Sequence, residues 1–208
     1  MTFLRRLMIM IAAFSIPVVF TFLVGCSTDQ RVVKKEIEIH TNKEIGLSIK
    51  LRYVPEKELR EKFGRQSNPF LSQGSVLGMN QTIVFELEAI TEKNFRGPFM
   101  IELSRIELQF GNVNTDPTNQ FQLISFWDFR FQKEHVYQGW SMGKVRRRTK
   151  KNLLPNEFVI NRDKVVKGYL LFRGSFPRYG DAAIYIPVLR EGEGMVKNFK
   201  FDFLFEGE

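Results

Sequence analysis

Cysteine occurs once, at position 26, and histidine twice, at positions 40 and 135. A lone cysteine excludes an intrachain disulfide and a cysteine-based metal site. The two histidines stand far apart and form neither an H-x-H nor an H-E-x-x-H spacing, so no zinc signature is present. No segment repeats another. No acidic residue occurs among residues 1 to 25, and that gap marks the first segment with a recognisable physical purpose.

Arg5 and Arg6 precede the apolar run LMIMIAAFSIPVVFTFLV, which ends on Gly25. A positive start, an apolar middle and an abrupt polar change are the layout of an export signal. The run is about long enough to span a bilayer as an uncleaved helix, but Pro17 and the polar change after Gly25 oppose that alternative. Leu23-Val24-Gly25-Cys26 resembles the lipobox of bacterial lipoproteins. The resemblance implies cleavage before Cys26 and a diacylglyceryl thioether on its sulfur, with membrane lipid as its first partner. Each buried methylene of such chains contributes about 0.8 kcal/mol, so two or more chains hold a protein durably on a bilayer. By the same resemblance Ser27, which is not aspartate, permits transfer to the outer membrane of a double-membrane cell, facing the periplasm.

The expected organisation is a signal peptide at 1–25, a polar tether at 26–35 and one domain at 36–208. Loss of Arg5 and Arg6 lowers the formal charge from +8 to +6. A ten-residue tether reaches at most about 35 Å. Period-two alternation dominates beyond it, which is the signature of half-buried strands. Leu47, Ile49, Leu51 and Tyr53 share one face, as do Ile83, Phe85, Leu87 and Ala89, and Phe199, Phe201, Phe203 and Phe205. In FMIELSRIELQF the apolar parity changes between Leu103 and Ile106, which predicts a bulge or bend near Ser104. About nine strands emerge, QFQLISFWDFRF among them, separated by Gly-, Pro- and Asn-rich turns. One helix is predicted over 55–64, from its proline start, early acidic residues and Gly64 stop. The following residues to 80 read as a long connection, a common place for binding residues.

The fold class expected is therefore all-β, an antiparallel sandwich with one short helix. Residues 81 to 206, with LPNEFVI, KVVKGYLLFRG, AAIYIPVL and NFKFDFLFE, resemble the immunoglobulin-like sandwiches of bacterial lipoproteins of unassigned role. That resemblance implies a fold and transfers no activity.

Two catalytic patterns overlap at Ser141. Gly139-Trp140-Ser141-Met142-Gly143 fits G-x-S-x-G and Ser141-Met142-Gly143-Lys144 fits S-x-x-K. A nucleophile elbow needs its histidine after the serine, and both histidines precede it; S-D-N and K-T-G, the companions of S-x-x-K, do not occur. Ser141 is accordingly read as a turn residue, and no enzyme activity and no cofactor are expected. Asn112, Asn114 and Asp116 alternate as calcium ligands do, but the loop lacks the glycine and bidentate glutamate of an EF-hand, so an ordinary turn is the preferred reading.

Lys144, Arg146, Arg147, Arg148, Lys150 and Lys151 place six positive charges in eight residues. Mutual repulsion requires exposure; the preferred reading is a solvated hairpin or loop with no specific ligand, and the other is a cluster that attracts an anionic surface. Export rules against nucleic acid as partner. Phe121, Phe126, Trp127, Phe129 and Phe131 fall on both strand parities, as in a strand covered on both faces or one that touches a partner. The functional expectation is a lipid-anchored envelope protein that binds or scaffolds an envelope protein partner without catalysis. The alternative is a module that binds anionic lipid or glycan through 144–151.

Overall fold

The computed structural model describes residues 31–33, 37–75, 78–133 and 139–207. Cys26, the expected signal segment at 1–25 and His135 lie outside the described residues. Most of the described chain is antiparallel β-sheet, arranged as two sheets with three short helices. The first sheet contains β1 (Arg31–Val33), β12 (Gly194–Gly207), β11 (Gly180–Arg190), β6 (Phe99–Glu102) and β9 (Glu157–Ile160) in that spatial order. β7 (Glu107–Phe110) also pairs with β11, and with β8 (Val113–Thr115). The second sheet runs β10 (Val166–Gly174), β5 (Gly78–Thr91), β3 (Leu47–Tyr53) and β2 (Ile37–Asn42), with β4 (Gln73–Ser75) on the end of β5.

The alternation legible in the sequence is the reason these sheets pack. Leu47, Ile49 and Leu51 of β3 and Phe85, Leu87 and Ala89 of β5 are fully buried, and they meet Ile184 and Ile186 of β11 and Phe199 to Phe205 of β12 in one apolar layer. Rings interlock across it: Phe85 lies 4.9 Å from Phe203, Phe205 lies 5.2 Å from Tyr53, and Phe110 lies 5.0 Å from Phe205. Such offset and edge contacts satisfy the ring quadrupoles as well as burying area. The expected irregularity near Ser104 is a 3-10 turn at Leu103–Arg105. It resets the parity, so Phe99 and Ile101 before it, Leu103 at its start, and Ile106, Leu108 and Phe110 after it are all buried.

The outer face of the second sheet carries a further layer, and here the sequence expectation is corrected. Helices α1 (Glu56–Phe63), α2 (Gln120–Lys133) and α3 (Met142–Asn152) lie in the chain where one helix was expected. Val84 of β5 and Tyr169 and Leu171 of β10 form a second apolar cluster with Leu59, Phe70, Leu123, Trp127 and Val145. The segment QFQLISFWDFRF is thus helical, and its apolar residues on both parities follow helical spacing. Leu123 and Trp127, four apart, are fully buried, and the Trp127 indole N–H donates to the Pro69 carbonyl at 3.2 Å.

Two boundaries also move. Residues 31–33, placed in the tether by their polarity, pair with the end of β12, Arg31 opposite Gly207 and Val33 opposite Phe205. The connection after α1 is a packing element over much of its length: Ser67, Asn68, Phe70 and Leu71 are buried. The Asn68 amide donates to the Leu59 and Gly64 carbonyls at 2.8 and 3.0 Å, tying the segment to α1.

Candidate binding surface

The basic segment is α3, not a hairpin or loop. Six charges in an eleven-residue helix leave little apolar surface, yet Val145 and Thr149, four apart, supply one buried face. Ser141 caps the helix: its hydroxyl accepts the Lys144 backbone N–H at 3.3 Å, and its own N–H donates to the Ser67 hydroxyl at 2.8 Å. The S-x-x-K pattern is thus a helix start. Gly139, with φ of 82°, makes the turn before it, and Trp140 lies half-buried against Trp127, 5.1 Å between ring centres.

The six cations do not act alike. Arg148 donates to the Gln66 and Ser67 carbonyls at 2.8 and 2.7 Å and so holds the segment before Asn68. Arg146 reaches both carboxylate oxygens of Asp128 on α2 at 2.9 Å, joining the two helices. Lys144, Arg147, Lys150 and Lys151 are exposed, with no acidic partner among the described residues. Positions 144, 147 and 151 lie one above another on the helix, a cationic stripe turned to solvent. Lys150 and Lys151 suit the negative end of the helix dipole, while Lys144 near its start does not.

Helix α2 turns an uncharged face to water. Phe121 keeps 77% of its surface exposed and Phe129 keeps 61%. Two helical turns separate them on one side, with exposed Gln122, Ser125 and Gln132 around them. An open groove of about 700 Å³ runs between the helices, lined by Phe121, Ile124, Arg146, Lys150, Pro155 and Glu157, among others. The Phe121 ring and the Arg146 and Lys150 cations thus border one depression.

A second charged feature was not read from the sequence. The Arg173 guanidinium lies 3.4 Å from the centre of the Phe126 ring and that of Arg130 lies 5.5 Å from the same ring. Burial first, and then the neighbouring Arg130 charge, lower the pKa of Arg173 to about 10. Strand β10 and helix α2 bring the two arginines together, and nothing in their local sequence links them. A signal for α2 itself was present: Asn119 and Gln122 form a reciprocal capping box, with N–H to side-chain oxygen distances of 2.9 and 2.8 Å.

Other residues singled out by sequence are accounted for. Asn114 sits in β8 opposite Gln109 and Asn112 in the turn before it. Among the described residues no three His, Cys, Asp or Glu side chains gather closely enough to hold a metal ion. His40 stands in β2 with its Nε2 2.8 Å from Glu38 and its ring 4.7 Å from that of Phe201. No protein-family model matches the chain, and neither a characterised protein nor a solved structure does. Function is therefore read from the surface itself.

Proposed function

We propose that the protein is an envelope lipoprotein, anchored through acylated Cys26, that binds an acidic protein partner on its α2–α3 surface without catalysing a reaction. The observation that carries this reading is the exposure of Phe121 and Phe129 on α2, with Phe121 sharing a groove with Arg146 and Lys150 of α3, where Lys150 has no acidic partner among the described residues. Aromatic side chains in contact with water are costly singly and useful jointly, because a partner that covers them gains their burial while its acidic residues meet the cations. The lipobox resemblance and the export layout support a location on the periplasmic face of the outer membrane.

Strand order supports the immunoglobulin-like reading. β3-β5-β10 in one sheet and β6-β11-β12 in the other follow the A-B-E and C-F-G arrangements of that fold, and β9 beside β6 takes the place of C′. Helices α2 and α3 then form an insertion between C and C′.

The cationic stripe also favours a second reading, binding of anionic lipid or glycan through 144–151, where each basic residue contributes about 1 kcal/mol at an anionic surface. One pair of variants separates the two. Phe121→Ser with Phe129→Ser abolishes co-purification of the envelope partner and spares binding of an unacylated form to anionic vesicles if the first reading holds. Charge reversal at Arg147, Lys150 and Lys151 abolishes vesicle binding if the second does. Arg146 and Arg148 are left intact because both tie the helix to the body. Retention of the partner by the double serine variant would sink the protein-binding reading.

A further inference from the structure

One short ladder fixes where the chain enters the folded body. β1 pairs with the end of β12, and Gly180, which starts β11, lies opposite the same Phe205 that faces Val33. Arg31, which starts β1, and the loop 175–179 therefore lie at one end of the first sheet. In the second sheet β10 arrives at that end with Gly174 opposite Gln81. Loops 43–46, 92–98 and 161–165 and the turn after Arg190 all lie at the other end, because each joins strands there.

Five residue steps separate Cys26 from Arg31, a reach of no more than about 17 Å. This is half the tether that composition alone suggests. On the proposed reading, in which Cys26 carries acyl chains, Arg31, at the end that holds loop 175–179, is confined to that distance from the headgroups. The loop is braced from behind: Phe176 is buried and its ring lies nearly parallel to that of Phe110, 6.3 Å away. Arg178 and Tyr179 are left exposed, Tyr179 by 52%. A tyrosine ring with a polar tip, next to an arginine, is the side-chain combination that the bilayer interface favours. Asp181 and Glu206 are exposed on the same end, so the Tyr179 ring and the Arg178 charge carry the contact locally rather than through a net positive field.

We infer that loop 175–179 is the membrane contact of the anchored protein, with Tyr179 seated among phospholipid headgroups and Arg178 on a lipid phosphate. The opposite end faces away from the bilayer. This inference rests on the anchoring reading and adds an orientation to it.

Cys26 is the only cysteine and its sulfur is consumed by acylation, so Tyr179→Cys and Val165→Cys each accept one environment-sensitive fluorophore. Val165, 61% exposed, reports from the far end. The acylated full chain is reconstituted in vesicles of phosphatidylcholine and phosphatidylglycerol with nitroxide-labelled headgroups, and circular dichroism checks that each labelled chain is folded. Expected is a blue-shifted probe at 179 quenched severalfold more than the probe at 165. A water-like, unquenched probe at 179 in an acylated chain overturns this inference alone, as does equal quenching at both sites. Absence of acylation, read by mass spectrometry of the purified chain, overturns the anchoring reading and this inference with it.

Discussion

The apolar layer between the sheets and the layer beneath the helices use the same residue types but are held by different means. Between the sheets every contributing strand presents a face set by its own alternation, and Phe85, Phe203 and Phe205 interlock without a polar atom among them. Beneath the helices the cluster mixes apolar side chains with polar ties, such as the Trp127 indole on Pro69 and the Arg148 guanidinium on Ser67. A layer made of local patterns is robust and legible. A layer assembled from three helices and a loop exists only when all of them meet.

The comparison is tested most severely by removing one ring from each layer. Phe85→Ala is expected to cost about 4 kcal/mol, seen as a single cooperative shift of the urea unfolding midpoint reported by both regions. Trp127→Ala is expected to cost about 3 kcal/mol, but hydrogen exchange should show α2 and α3 losing protection while β11 and β12 retain it. Equal loss of protection in both layers would mean that the helices and the sandwich unfold as one unit.

Smaller changes probe how the helical layer is fastened. A β-carbon on Gly168 would lie 2.8 and 2.9 Å from Leu154 side-chain atoms and 3.2 Å from the Asn152 carbonyl, so the end of α3 must move off β10. Gly168→Ala is expected to cost about 2 kcal/mol, measured by thermal unfolding. Ser141→Ala removes the cap of α3 and is expected to cost about 1 kcal/mol. A serine-reactive fluorophosphonate probe should leave the native chain unlabelled, and labelling lost in that variant would restore Ser141 as a nucleophile.

The smallest effect concerns α1. The Arg52 guanidinium donates to both Glu58 oxygens at 2.6 and 2.9 Å. That hydrogen bonding holds the Glu58 carboxyl below its ordinary range, against the opposing effect of burial, and it raises the Arg52 pKa. A carboxyl with a depressed folded pKa stabilises the protein fully above its unfolded pKa and loses that contribution as pH falls through the folded one. The pair is substantially solvated, so its worth is under about 1 kcal/mol. The stability difference between the native chain and Glu58→Gln should accordingly be present at neutral pH and close on acidification below the usual carboxylate range.

How much was legible differs by element. β3, β5 and β12 and the irregularity at Leu103–Arg105 follow directly from side-chain parity, and α1 from its proline, acidic start and Gly64 stop. The Asn119–Gln122 capping box was also written in the sequence, but the aromatic density of the residues after it imitates a strand covered on both faces. α3 was hidden for the opposite reason. Six cations outweigh the two inward positions, Val145 and Thr149, that its helix needs. Of the basic cluster, the sequence specified the charges and not their division of labour, because the carbonyls and the carboxylate that bind Arg148 and Arg146 come from distant parts of the chain.

By itself the sequence determined that sheets form, which faces they bury and where positive charge accumulates, since each depends on residues within a strand or turn of one another. Only the tertiary structure decided that three helices cover the second sheet, that Phe121 and Phe129 remain in water on α2 while Phe121 shares a groove with Arg146 and Lys150, and that residues 31–33 pair with β12. Those outcomes depend on long-range closure, where the free energy of a contact between distant segments has no counterpart in either segment alone.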